Sequence, residues 1–146
     1  MAIDRASFPL PDIDDPSTAP FFAGAARQEL VLPYCGACAL HVWYPQPECP
    51  ACGGELEWVG VDGRATLFSW AVVTRPFLPA FADRVPFVTA LVALDVDPRV
   101  RLCTYVVDAD PDDLRPDMPV EITFRDLAFS TVPGRKVTVP MFRPIA

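Results

Sequence analysis

The chain has 146 residues, with 19 acidic and 12 basic side chains, one histidine and a net charge of −7. So acidic a chain, with Lys136 as its one lysine, lacks the basic face on which nucleic-acid affinity rests, and a single histidine argues against a Ser-His-Asp or Cys-His catalytic set. Hydrophobic residues make up 51% of it, ample for a core, yet the longest uncharged run, residues 30–47, is interrupted by Pro33, Gly36 and Pro45 and does not read as a membrane span.

Residues 1–17 are acidic and proline-rich and read as an extended arm. Ser17 or Thr18 can cap a short helix with Pro20 in its first turn. That helix is expected over Ala19 to Gln28, with Phe21, Phe22, Ala25 and Ala26 on one face. A short helix on a loose arm is expected to dock on a partner slightly more than on its own domain. No targeting segment is evident, and a reducing cytoplasm suits free thiols.

Leu30 to Leu32 reads as a strand entering Cys35-Gly36-Ala37-Cys38. Val42 to Tyr44 forms a hairpin strand before Cys49-Pro50-Ala51-Cys52, and Leu56 to Val59 leaves it. Two matched Cys-x-x-Cys turns supply the four thiolates of a tetrahedral Zn²⁺ site. A redox dithiol, a disulfide pair and a rubredoxin-type iron centre use the same residues, but two symmetric copies favour a metal clip. Four sulfurs fill the coordination sphere, so the expected site is structural. Trp43 and Tyr44 are expected to cover it, with His41 as a surface residue.

From Gly63 the pattern turns to β. Arg64 to Thr74 alternates, with Leu67, Ala71 and Val73 on one side and Phe68, Trp70 and Val72 on the other. An apolar loop, residues 75–81, follows. Strands are expected at Phe87 to Asp95, Val100 to Asp108, Pro119 to Arg125 and Arg135 to Phe142, with one helical turn at Asp110 to Leu114. Five strands with a helical turn between the third and fourth match an OB-fold barrel. The fold class is thus mainly β: a short helix, a rubredoxin-like zinc ribbon and a five-stranded OB-fold barrel. The divisions are 1–29 for arm and helix, 30–60 for the ribbon and 61–146 for the barrel. Cys103, inside a strand with no partner cysteine and no His or Lys near it in sequence, reads as a packed or partly buried thiol and not as a nucleophile.

This order of parts resembles the DUF35 family. The resemblance rests on Ala19-Pro20-Phe21-Phe22, the four cysteines with Cys49-Pro50-Ala51-Cys52, Gly63-Arg64-Ala65-Thr66-Leu67, Val85-Pro86-Phe87-Val88 and Met118-Pro119-Val120-Glu121-Ile122. The chain departs where the family commonly has glycine, at Ala39 and Asp117. It departs also at Phe22, often tryptophan, and in the run Tyr44-Pro45-Gln46-Pro47-Glu48, where an arginine is usual. No departure removes a metal ligand.

The resemblance implies an accessory subunit of an acyl-CoA-processing complex, not catalytic alone. Its partner would be a thiolase-like or ketosynthase-like protein, or a hot-dog hydratase, in an acyltransferase, HMG-CoA-forming or steroid side-chain aldolase assembly, with acyl-CoA at the shared interface. The metal ligands would be Cys35, Cys38, Cys49 and Cys52, and the ion Zn²⁺. No residue is assigned to catalysis. On the apolar loop, Arg75 could fork onto a CoA phosphate beside Phe77 and Phe81; the alternative is a plain protein-contact patch. A single-stranded nucleic-acid module is the competing function, since OB-folds and zinc ribbons often serve it, with Phe68, Trp70 and Tyr105 as stacking rings.

Overall fold

The computed structural model describes residues 7–145. The expected arm over residues 1–17 falls in part outside them. Its described part is a series of turns, such as Leu10 N–H to Ser7 O at 2.8 Å, and Leu10 packs on the protein's second apolar cluster.

Helix α1 runs Ala19–Ala26 with Pro20 in its first turn, where a missing N–H costs nothing. Neither Ser17 nor Thr18 caps it through a side chain. Thr18 stands at the cap position without a side-chain bond, and Ser17 Oγ instead donates to Asp15 at 2.8 Å. The helix packs on its own chain. Gly24 and Ala25 are buried, Phe21 joins the main core, and α1 packs against two strands of its own chain, β1 (Leu30–Cys35) and β8 (Val137–Pro144). The small Gly24 allows this. A Cβ there would stand 2.7 Å from Val31 Cγ2.

Three strands make the first sheet, β1 (Leu30–Cys35), β2 (Leu40–His41) and β3 (Glu57–Val61), in the order β2-β1-β3, all antiparallel. The hairpin strand comes earlier than its expected place at Val42 to Tyr44, because pairing stops once Tyr34 has met His41. Beyond it Val42 is buried, and its N–H donates to Pro33 O at 2.9 Å.

The remaining strands are β4 (Arg64–Val73), β5 (Phe87–Leu94), β6 (Arg101–Val106), β7 (Pro119–Leu127) and β8 (Val137–Pro144). They close into a barrel in the order β4-β5-β6-β8-β7. Closure removes the free edges that apolar strands would otherwise expose. A single turn of 3-10 helix at Pro111–Asp113 lies between β6 and β7, with the Asp112 N–H donating to the Asp110 carboxylate at 2.9 Å. This is the five-stranded Greek-key order expected of an OB-fold.

The alternation expected along β4 is broken. The register slips between Leu67, opposite Val92, and Ser69, opposite Leu91. Phe68 is the extra residue of this bulge, which bends the strand and reverses its faces. Ala65 and Leu67 therefore point inward before it, Trp70 packs on the core after it, and Phe68 stands outside under the Arg101 guanidinium, 3.9 Å from ring centre.

Ribbon and barrel share one core. Leu30 and Leu32 of β1 cluster with Leu67, Val92, Leu94, Val120 and Phe142 of the barrel. The chain passes from β3 to β4 through Asp62 and Gly63, where close approach demands glycine. A Cβ on Gly63 would fall 2.0 Å from Ile122 Cγ2. A second cluster of Ala80, Leu127, Phe129, Val132 and Met141 lies on the outer side of β7 and β8.

Candidate metal centre

Each cysteine pair sits on a turn shaped to present sulfur. Cys35 ends β1, and Cys38 stands just before β2. The residue after each pair takes the left-handed conformation, Ala39 at φ 52° and Gly53 at φ 72°, so the two turns are built alike. Backbone N–H groups curl over the sulfurs: Ala51 N–H to Cys49 Sγ at 3.4 Å and Gly54 N–H to Cys52 Sγ at 3.3 Å. Cys49 N–H also donates to Gly54 O at 2.9 Å, and Gly53 N–H to Cys49 O at 2.8 Å, closing the second turn on itself.

All four Sγ atoms lie within 4.8 Å of one another, and Cys35 and Cys52 are 3.6 Å apart. Zn–S bonds of about 2.3 Å in a tetrahedron require S···S edges of about 3.8 Å. The donor set therefore fits a four-coordinate thiophilic ion with no position left for water or substrate. None of the four is in a disulfide. Cys35 and Cys49 are buried and Cys38 and Cys52 exposed, so the site lies at the surface with two sulfurs rooted in the fold. Crowding splits the thiols. The Cys38 backbone N–H draws Cys35 down to about 7, while Cys38, sharing a hydrogen with Cys52, is pushed up to about 12. Full ionisation of four sulfurs this close needs a cation among them.

The neighbours differ from expectation. Trp43 turns away to the helix, 4.9 Å from the Phe21 ring, and packs on the main core; Tyr44 is exposed. His41 is not a surface residue. Its side chain is 12% exposed and its Nδ1 stands 3.7 Å from Asp97 Oδ2. Nothing in composition or spacing pointed to this contact between ribbon and barrel.

The apolar loop presents two of its three named residues. Arg75 is exposed, and Phe77 is 87% exposed. Phe81 lies on the 3-10 turn Pro79–Phe81, with its ring 5.6 Å from Phe87 and 5.3 Å from Phe129. It anchors the loop and does not offer a free ring. Cys103 faces out of the barrel and is exposed, where a packed or partly buried thiol was expected. Its position follows from the inward alternation of Leu102 and Val106 on either side.

Five basic side chains are tied to acids: Arg27 to Glu29, Arg99 to Asp97, Arg125 and Arg143 to Asp108, and Lys136 to Asp126. With a net charge of −7, this pairing weighs against the nucleic-acid reading.

Comparison with known proteins bears on the same two parts. Residues 22–58 match the model of the ChsH2 rubredoxin-like zinc ribbon domain, and residues 58–125 that of the ChsH2 C-terminal OB-fold domain. A solved structure described as Ltp2-ChsH2(DUF35) aldolase superposes with a TM-score of 0.77 at 32% identity, over 92% of this chain and 98% of that one. This chain belongs to the DUF35 family. A DUF35 protein of unknown function from Sulfolobus solfataricus shares the fold at 14% identity and a TM-score of 0.58, over 89% of this chain and 86% of that one.

Two curated relatives are similar as well. A probable enoyl-CoA hydratase alpha subunit of Thermomonospora curvata is 33% identical over 126 residues, which is 85% of this DUF35 chain and 36% of that protein. A DUF35 domain-containing scaffold protein of Methanothermobacter thermautotrophicus is 35% identical over 79 residues, 53% of this chain and 57% of that protein. The chain thus spans about a third of the first and just over half of the second. The rubredoxin-like ribbon model and the four clustered sulfurs make zinc the ion that this DUF35 site suits. Among the described residues no helix is long and apolar enough to cross a membrane.

Proposed function

We propose that this chain is the non-catalytic subunit of an acyl-CoA-processing complex. Cys35, Cys38, Cys49 and Cys52 hold a structural Zn²⁺ that fixes the ribbon, and the barrel seats a thiolase-like partner that brings the nucleophile. Zinc here supplies folding energy and no Lewis-acid chemistry, because four thiolates complete its shell.

The observation that carries the reading is the exposed Phe77 beside Arg75, on a loop pinned by Phe81. A rigid loop that holds a large ring in water is suited to burial against another surface, and Arg75 can meet a phosphate of CoA at the edge of that contact. The similarity to a chain of an Ltp2-ChsH2 aldolase and to a probable hydratase subunit supports a place in a multi-protein enzyme.

The test is reconstitution. The zinc-loaded chain is tagged in its native host and its companion identified by mass spectrometry. The companion's acyl-CoA turnover is then measured with and without this chain. A thiolase-fold companion whose turnover depends on this chain is the expected outcome. A chain that stays monomeric beside the thiolase-fold proteins of its host, or that turns over acyl-CoA alone, overturns the reading.

A further inference from the structure

The barrel closes weakly at one seam. Strands β6 and β8 meet in parallel at a single position, Val106 opposite Phe142, helped by Val107 N–H to Phe142 O at 2.9 Å. Beside that seam, where the two strands diverge, a cavity of about 240 Å³ opens among Arg84, Phe87, Tyr105, Val107 and Met141, with Asp83 also on its wall.

Arg84 is held there with most of its donors idle. Nη1 donates to Ala128 O at 2.8 Å. The guanidinium carbon stands 4.9 Å from the centre of Phe129 and 6.0 Å from that of Tyr105, so two aromatic faces fix its plane. Nε is buried with no acceptor. Among the described residues Nη2 and the Tyr105 hydroxyl make no hydrogen bond, and neither is a buried atom, so both are open to solvent or a ligand. Arg84 is thus a half-buried cation held in place by two rings, with one buried donor, Nε, left without an acceptor. Burial holds the Tyr105 phenol above its usual range, so it stays a neutral donor.

We propose that this cavity binds a small organic monocarboxylate, with an oxygen on Arg84 Nη2 and the apolar group against Val107 and Met141. The volume is below that of a drug-sized pocket, which limits the ligand to a few carbons. Asp83 selects for a single negative charge, since its carboxylate repels a dianion more strongly than a monoanion. The site adjoins the anchor of the apolar loop, since Phe81 packs on Phe87 of its wall, but neither Arg75 nor Phe77 lines it, and it holds whether or not the partner reading does.

Isobutyrate titrated into the zinc-loaded full chain, followed by amide chemical shifts, tests it. Isobutyrate should shift Arg84, Tyr105, Val107 and Met141 with a millimolar dissociation constant. Neutral isobutyramide should leave them unmoved, and inorganic phosphate should bind more weakly. Arg84→Met should weaken isobutyrate by about ten-fold or more. Tyr105→Phe keeps the ring against Arg84, and should weaken it by a few-fold. Equal shifts from isobutyramide, equal or tighter binding of phosphate, or undiminished binding by a folded Arg84→Met would each overturn the site. So would the absence of shifts at saturating millimolar ligand. The isobutyramide and phosphate comparisons use the unsubstituted chain, so they decide even if Arg84→Met does not fold.

Discussion

His41 of the ribbon reaches Asp97 of the barrel, Nδ1 to Oδ2 at 3.7 Å, and Asp97 at 6% exposure is the one buried charged residue among those described. Arg99 completes the arrangement with two bonds to the same carboxylate, at 2.8 and 2.9 Å. The carboxylate, not the guanidinium, is the costly partner to lose. Asp97→Ala should destabilise the chain by about 2 kcal/mol, because the groups facing it lose their acceptor. Arg99→Ala should cost under about 1 kcal/mol, since that side chain is 69% exposed. The Arg99 hydrogen bonds hold the Asp97 carboxyl below its usual 3.8. A group more acidic when folded contributes stability that is complete above its unfolded value and is lost as pH falls through the folded one. Melting temperature should therefore drop below about pH 4, and Asp97→Asn should flatten part of that drop. Circular dichroism melts from pH 7 to pH 2 measure both effects.

Four described residues occupy left-handed backbone without being glycine, and two of them are Ala39 at φ 52° and Asp117 at φ 62°. A Cβ in that region costs about 1–2 kcal/mol, part of which glycine gives back through its looser unfolded chain. Ala39→Gly should raise stability by about 0.5–1 kcal/mol. Asp117→Gly should gain less, because aspartate tolerates this conformation better than alanine. Urea melts of the zinc-loaded variants are the check. A loss of stability at Ala39 would mean that its methyl makes a contact worth more than the strain.

Thiol counting separates the five cysteines. With zinc bound, iodoacetamide should modify Cys103 alone, since it is exposed and lies outside the four-sulfur cluster. After chelation in denaturant all five should react. Zinc content should be one per chain, and the protein colourless, where an iron–thiolate centre would be coloured. Because thiols must shed protons to bind the ion, zinc affinity should fall as pH is lowered. Rapid labelling of Cys38 or Cys52 in the metal-loaded chain would contradict the closed site.

Phe77 offers the cleanest surface substitution. Its ring has few contacts of its own, so Phe77→Ser should shift stability by no more than about 0.5 kcal/mol. The same change should weaken association with the partner by ten-fold or more if the ring is a central anchor, about 1.4 kcal/mol. Phe81→Ser should instead lower the melting temperature, since it removes the ring packed on Phe87 and Phe129. Calorimetric melting and surface-based binding distinguish the two residues.

These contrasts show where sequence was informative. Ligation demands particular atoms at fixed spacing, so the four cysteines could be read directly. Strand alternation placed the barrel because its inner face excludes charge throughout β5. The bulge at Phe68 could not be read, because a one-residue slip leaves composition unchanged while reversing every later side chain. The contact of His41 with Asp97 was hidden for another reason: it joins residues distant in sequence, and neither belongs to a recognisable pattern. Arg84 gave no signal at all. Its setting depends on Tyr105 and Phe129, which only barrel closure brings to it.

Helix α1 lies across the first and last strands of the molecule, touching β1 and β8 together. It is a second tie between ribbon and barrel, besides the chain's passage through Asp62 and Gly63. A push at the sulfur cluster is therefore passed to the barrel wall along both routes. Whatever grips the ribbon would move the whole body as one piece.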